Sequence, residues 1–327
     1  MDTTRRLMSL LPLAGLLPAL APAAIVPAAM APAVLPLWPE GVPDRMRPDA
    51  PATRGDLGPE RVDANGAIAN VSVPTLTVVP PAVDRHLSTQ GTAVILCPGG
   101  GYRYLSWQRE GLQYAAWLST LGITTFILKS RLEEWGHPAP LQDVLRAIRL
   151  VRSRAAEFGV DPQRIGVMGS SAGGHLAASA STLFNHADGR TGAALDNSVS
   201  ARPDFAVLVY PVITMTDPAA HAGSRRALLG SAPTPALLSL MSAEQQVTAA
   251  TPPTLLLHTQ GDKTVPVDNS LLYYQALTRA GVPAELYVFE QGGHGIGMRD
   301  GLGTASAWPR RVEDWLRQRG LMGSTGR

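Results

Sequence analysis

The chain has 327 residues, of which 45% are hydrophobic and 17% charged, a balance that suits one large α/β domain or two small ones with a sizeable core. Its formal net charge of +2 is too small to imply a nucleic-acid or membrane-surface partner. Cys97 is the single cysteine, which excludes an intrachain disulfide and any cysteine-built metal site.

Residues 1–31 carry Arg5 and Arg6, then an apolar run interrupted by Pro12, Pro18 and Pro22, then small Ala- and Pro-rich sequence. This layout predicts a cleaved secretory signal, not a membrane anchor, and a periplasmic or secreted protein with no membrane attachment after cleavage. Residues 32–70 are rich in Pro, Asp, Arg and Gly and read as an irregular N-terminal arm. The catalytic domain is expected over 71–322. It opens with "VSVPTLTVV" (71–79), read as an edge strand because Pro74 cannot donate to a ladder.

From there short apolar strands alternate with helical patterns. Strands are expected at 92–97, 123–128, 164–169, 205–210, 254–259 and 285–290. Helices are expected at 111–122, 141–159, 172–184, 269–281 and 306–320. In the second of these, Leu141, Val144, Leu145, Ile148, Val151, Ala155 and Phe158 share one face. Arg146, Arg149, Arg152 and Arg154 then read as a solvated surface. The alternation implies an α/β fold with a mostly parallel sheet covered on both faces. The Pro-, Ala- and Ser-rich stretch 211–250 breaks the rhythm and reads as a lid or cap insertion.

The chemistry is concentrated at "RIGVMGSSAGGHLAAS" (164–179). A strand, Gly169-Ser170-Ser171-Ala172-Gly173 and a helix fit the G-x-S-x-G elbow, with Ser171 on the tight turn and the Ala172 N–H at a helix N-terminus. "CPGGGYRY" (97–104) follows an earlier strand, and Gly100 and Gly101 are candidate oxyanion donors. Asp262 lies just past the strand 254–259 and His294 in a glycine-rich loop after the last strand. The order Ser171, Asp262, His294 is the one expected of an α/β-hydrolase triad. Asp268 is a rival carboxylate but reads as a helix-start acid. His175 should face away from the Ser171 hydroxyl, and His258 reads as a satisfied strand histidine. Tyr102, Tyr104 and Trp107 are candidates for aromatic contact with a substrate, or for loop packing. Cys97 reads as a buried core residue.

These segments, with "PLWPEGVP" (36–43) and "AGVPAELYVFEQGGHGIGM" (280–298), resemble α/β-hydrolase esterases. More narrowly, the chain resembles the bacterial acetylxylan/feruloyl esterase group of bifunctional carbohydrate esterases. The resemblance implies Ser171 as nucleophile, His294 as general base and acid, Asp262 as its orienter, and an oxyanion hole of Gly100, Gly101 and Ala172. It implies a carbohydrate or small-molecule ester substrate and no metal or cofactor. Two departures stand out: Gly261, where relatives often carry a second Asp, and Ser170, where a bulky residue is common. A general short-chain or feruloyl esterase, a peptidase or amidase on the same fold, and a non-catalytic binding protein remain alternative readings at this stage.

Overall fold

The computed structural model describes residues 33–43, 58–82, 91–193, 195 and 198–322. The expected export signal at 1–31 lies outside the described residues. Ten strands are described: β1 (Ala33–Pro36), β2 (Arg61–Val62), β3 (Ile68–Ala69), β4 (Thr75–Val79), β5 (Ala93–Cys97), β6 (Thr124–Lys129), β7 (Ile165–Ser170), β8 (Ala206–Val209), β9 (Thr254–Thr259) and β10 (Ala284–Phe289). The principal helices are α1 (Gln113–Thr120), α2 (Ala139–Ser153), α3 (Ala155–Phe158), α4 (Ala172–Thr182), α5 (Ala222–Leu229), α6 (Pro235–Leu240), α7 (Asp268–Arg279) and α8 (Trp308–Gln318).

Eight strands form one sheet in the order β1-β4-β6-β5-β7-β8-β9-β10. From β6 to β10 every pairing is parallel, whereas β4 runs antiparallel to both its neighbours. Strand side chains alternate between two cores, as the pleat requires. Ile95, Phe126, Val167, Leu208 and Leu256 pack beneath α2, α4 and α7, whereas Val94, Leu96, Met168, Val207 and Leu255 pack beneath α1 and α8. Both faces are covered, which explains the near-continuous apolar strands. This is the expected α/β-hydrolase arrangement, and it gathers the ends of β5, β7, β9 and β10 on one edge.

Three expectations need correction. The stretch 71–79 is not an edge. Pro74 precedes the ladder, so no donor is missing, and β1 pairs outside β4, with Leu37 N–H donating to the Pro74 carbonyl at 3.1 Å. The arm 32–70 is therefore not wholly irregular: β1 joins the main sheet, and β2 and β3 form a small antiparallel hairpin. The arginine face of α2 is solvated only at its end, where Arg154 pairs with Glu157 at the surface. Arg146 and Arg149 are buried, with the Arg146 guanidinium 4.7 Å from the Trp38 ring centroid and 2.7 Å from Glu40 Oε1. Arg149 donates to the Val199 and Gly189 carbonyls, and Arg152 to Asp204 Oδ2. Cys97 is buried as expected, and burial pushes its thiol up to about 12.

Candidate active site

At the end of β7 the backbone turns sharply into α4. Ser171 holds φ 55° and ψ −123°, a conformation that a non-glycine residue rarely adopts. The flanking glycines are steric necessities: a Cβ on Gly169 would overlap the Gly173 carbonyl, and one on Gly173 would overlap the Cys97 carbonyl. The turn projects Oγ over the sheet edge. His294 Nε2 lies 2.8 Å from Ser171 Oγ, and His294 Nδ1 lies 2.7 Å from Asp262 Oδ2. With Asp262 ionised, Nδ1–H donates to it, and Nε2 is left to accept the serine proton.

Each partner is fixed in turn. Asp262 Oδ1 accepts the Thr264 and Val265 N–H groups, both at 2.9 Å. Burial alone would raise the Asp262 pKa. The nearby His258 N–H and the hydrogen bonds from His294 and the Val265 N–H outweigh it and hold the carboxylate well below its ordinary range. His258 is a satisfied buried histidine: Nδ1 accepts from Ser270 Oγ at 2.8 Å, Nε2 donates to the Val265 carbonyl at 3.0 Å, and Asp262 Oδ2 lies 3.5 Å from Nε2. Asp268 is exposed in the first turn of α7. The loop bearing His294 is tied down by Trp308 Nε1, which donates to Gly297 O at 2.8 Å. The His294 ring meets the Tyr210 ring edge to face, with centroids 5.1 Å apart.

A cavity of about 350 Å³ opens over these groups. Its walls include Ser171, His294, Gly100, Gly101, Tyr104, Arg103 and Arg109. The N–H groups of Gly100, Gly101 and Ala172 have no partner among the described residues. Gly99 N–H instead donates to Glu110 Oε2 at 2.7 Å, which fixes the loop from below.

Of the three aromatic candidates, only Tyr104 lines this cavity. Tyr102 is buried, and its hydroxyl donates to His175 Nδ1 at 2.7 Å. Trp107 is half-buried against the core, its indole taken up by packing. His175 faces away from the serine as expected, and its Nε2 donates to the Met241 carbonyl at 2.7 Å. Ser170 is also buried, and its hydroxyl donates to Tyr114 Oη at 3.4 Å. At Gly261 a side chain would press on the Gly292 carbonyl.

Two residues of the site were not singled out in the sequence. Glu110 is a buried carboxyl in the cavity wall, holding Gly99 through one oxygen and accepting from Tyr210 Oη at 2.8 Å through the other. Burial raises its pKa, against the pull of the Tyr210 and Gly99 hydrogen bonds. No sequence signal marked it, since it stands among Gln108, Arg109 and Gly111 as an ordinary polar helix-start residue would. His221 comes from the 211–250 stretch, which packs as α5, α6 and connecting turns and so supplies one wall of the cleft. Its Nδ1 accepts from Ser224 N–H at 3.2 Å, leaving Nε2 as the protonated nitrogen. No signal beyond its being a histidine marked it.

Comparison with known proteins points the same way. An acetylxylan esterase of Xylanibacter ruminicola is 35% identical over 211 residues, 63% of this chain and 41% of the relative. A protein named endo-1,4-beta-xylanase B, of Butyrivibrio fibrisolvens, is 36% identical over 207 residues, 62% of this chain and 32% of the relative. The chain thus spans less than half the length of these two curated relatives. The solved structure of an acetyl ester-xyloside bifunctional hydrolase from Caldicellulosiruptor lactoaceticus superposes with a TM-score of 0.73 at 38% identity, covering 90% of this chain and 99% of that one. The BD-FAE family model matches residues 84–277, and the chain belongs to the BD-FAE family.

Proposed function

We propose that this protein is a serine carboxylesterase that removes short acyl groups, acetyl foremost, from a carbohydrate such as xylan. The observation that carries the reading is the unbroken hydrogen-bond relay from Ser171 through His294 to Asp262, at the mouth of a cavity lined by unpaired backbone N–H groups. The names of the relatives support the acyl and carbohydrate parts of the reading.

In this mechanism His294 Nε2 takes the Ser171 proton as Oγ attacks the ester carbonyl. The oxyanion accepts hydrogen bonds from the N–H groups of Gly100, Gly101 and Ala172, the last at the positive end of α4. His294 then gives the proton to the departing sugar hydroxyl, leaving an acyl-serine. Water, deprotonated by the same nitrogen, attacks the acyl carbon; the proton returns to Ser171, and the free acid leaves. Asp262 holds the imidazole in the productive tautomer and offsets its positive charge in both halves.

The test is hydrolysis of p-nitrophenyl acetate, butyrate and octanoate alongside acetylated xylan and methyl ferulate. Ser171→Ala is expected to lower kcat by about 10,000-fold or more. Acetate released from xylan by the wild type and not by the variant supports the carbohydrate reading. Turnover of aryl esters alone narrows it to a short-chain esterase, and an active Ser171→Ala enzyme overturns it. The reading extends to export: residues 1–31 act as a cleaved signal to the periplasm or medium. N-terminal sequencing of the protein from cell fractions tests this, and an intact N-terminus in the cytoplasmic fraction would refute it. Among the described residues no helix is long and apolar enough to cross a membrane.

A further inference from the structure

A second groove of about 160 Å³ adjoins the cavity over Ser171, and the two share Tyr104, Ser106 and Arg109 in their walls. The far side of this groove is built by Asp63, Asn65 and Ala67, at the tip of the β2–β3 hairpin, and by Gln108. The hairpin lies outside the segment 84–277 that matches the family model, whereas Tyr104, Ser106, Gln108 and Arg109 lie within it.

The groove is held in shape. Ile68 N–H donates to the Leu105 carbonyl at 3.1 Å, and Leu105 N–H returns to the Ile68 carbonyl at 2.7 Å. Beneath them Ile68, Val71, Leu105 and Leu132 form a small buried cluster. Asp63 Oδ1 accepts the Asn65 and Ala67 N–H groups, both at 2.8 Å, and closes the hairpin tip. The tip rests on Gln108, whose Cβ a side chain at Gly66 would crowd at 3.2 Å. The loop that carries Tyr104 begins at the proposed oxyanion glycines, and Tyr104 N–H donates to the Gly100 carbonyl at 3.3 Å. A ligand in the groove is therefore registered against the reacting ester through a few rigid bonds.

The lining has a definite chemical character. Tyr104 is a large aromatic ring with 46% of its surface exposed. Around it stand two amides, Asn65 and Gln108, the Arg109 guanidinium and the second oxygen of Asp63. The side chains of Asn65 and Gln108 make no hydrogen bond among the described residues, and Arg109 interacts with Glu110 only through its charge. The lining thus combines donors and acceptors with an aromatic ring. A sugar ring presents the matching surface: hydroxyls that both donate and accept around its rim, and C–H groups on its face. A purely anionic ligand would leave the Asp63 carboxylate opposed, and a purely apolar one would strand the amides.

We propose that this groove is a saccharide subsite that binds the sugar unit next to the acylated one, with Tyr104 as the stacking platform and Asn65, Gln108, Arg109 and Asp63 as hydroxyl partners. The proposal rests on the carbohydrate-ester reading above and sharpens it: the substrate is an oligosaccharide or polymer, not an acylated monosaccharide.

The experiment compares kcat/KM for acetylated xylotriose, acetylated xylose and p-nitrophenyl acetate in the wild type, Tyr104→Ala and Gln108→Ala. The wild type should prefer acetylated xylotriose over acetylated xylose by about tenfold or more, and each variant should shrink that ratio severalfold, chiefly through KM. A second measurement needs no turnover: binding of unacetylated xylotriose to Ser171→Ala, expected to weaken by about tenfold on adding Tyr104→Ala. Equal ratios in all three proteins, no chain-length preference in the wild type, or equal xylotriose binding with and without Tyr104 would overturn the subsite. Failure of the esterase reading itself shows separately, as Ser171-independent hydrolysis of p-nitrophenyl acetate.

Discussion

Helices α2 and α4 lie on the same face of the sheet and are held there by opposite means. α4 comes close because side chains are missing. A Cβ on Gly173 would overlap the Cys97 carbonyl, and one on Gly174 would sit 2.7 Å from the Pro211 Cβ. α2 is held because long side chains are present. Its Asp143 accepts from the Arg131 guanidinium at 2.8 Å and from Trp38 Nε1 at 2.8 Å, and its Arg146 reaches back to Glu40 and the Leu37 carbonyl. One helix is set by the close approach of backbone that its glycines allow, and the other by polar bonds, to Arg131 twelve positions away and to Leu37, Trp38 and Glu40 over a hundred positions away. The first arrangement fixes Ser171, the proposed nucleophile; the second fixes the scaffold. Substitutions in the two helices should therefore damage different properties.

The largest effect is expected at the elbow. In Gly173→Ala the new methyl must displace the backbone at Cys97 and Pro98, which leads into the proposed oxyanion loop, or else shift Ser171 itself. Either movement spoils two donor–acceptor alignments at once, so kcat/KM on p-nitrophenyl acetate should fall by at least about 1,000-fold. Urea unfolding should register a smaller change, of about 1–3 kcal/mol, as for other overpacked sites. A variant that unfolds readily yet keeps its specific activity would break the contrast.

Damage to the α2 anchor should reverse the pattern. Arg131 and Asp143 are both fully buried, and Asp143→Ala would leave the guanidinium without its counter-charge. A loss of about 3–5 kcal/mol in urea unfolding is expected, with specific activity of the folded fraction little altered. Replacing both partners, as Arg131→Met with Asp143→Leu, should recover most of that loss, because the desolvated charge disappears with its partner. Recovery of nothing would mean that Trp38 and the Arg131 N–H, not the ion pair, carry the anchor.

The same division explains what could be read in advance. The elbow, the glycine loop and the order Ser171, Asp262, His294 are encoded by short-range rules: backbone angles that need glycine, and strand ends that must face one edge. The central strands of the parallel sheet were legible because burial on both faces leaves them largely apolar. Glu110 was not legible as a site residue, since its partners are Gly99 and a tyrosine a hundred positions away, Tyr210. Tyr102 sits one residue from the candidate donor Gly101, yet its hydroxyl turns inward to His175, a choice set by the buried imidazole. Arg146 and Arg149 follow a spacing that fits a solvated helix face equally well; Trp38, Glu40 and the 183–200 stretch decide otherwise. The β2–β3 hairpin was missed because two-residue strands carry no periodicity.

His175 tests whether α4 depends on sterics alone, since it is the point where α4 borrows the polar strategy of α2. The imidazole is fully buried, accepting from Tyr102 and donating to the Met241 carbonyl, so it ties α4 to both the glycine loop and the 211–250 stretch. Burial lowers its pKa from 6.5 to about 4. The unfolded chain therefore takes up a proton at this residue as the pH drops below 6.5, while the native protein does not until about 4. Stability is then lost progressively between those values, by an amount of order 3 kcal/mol when the loss is complete below pH 4. His175→Gln has no such ionisation. It should be less stable than the wild type at pH 7, but its urea midpoint should fall much less on acidification to pH 4, so that the two unfolding curves converge. Burial also lowers the pKa of His137 and His221 in both proteins, and the His137 charge helps to lower that of His175, so the difference between the proteins reports His175 together with that coupling. Parallel loss in the two proteins would mean that the Tyr102–His175–Met241 chain carries no share of the acid sensitivity, and that glycine contacts alone hold α4.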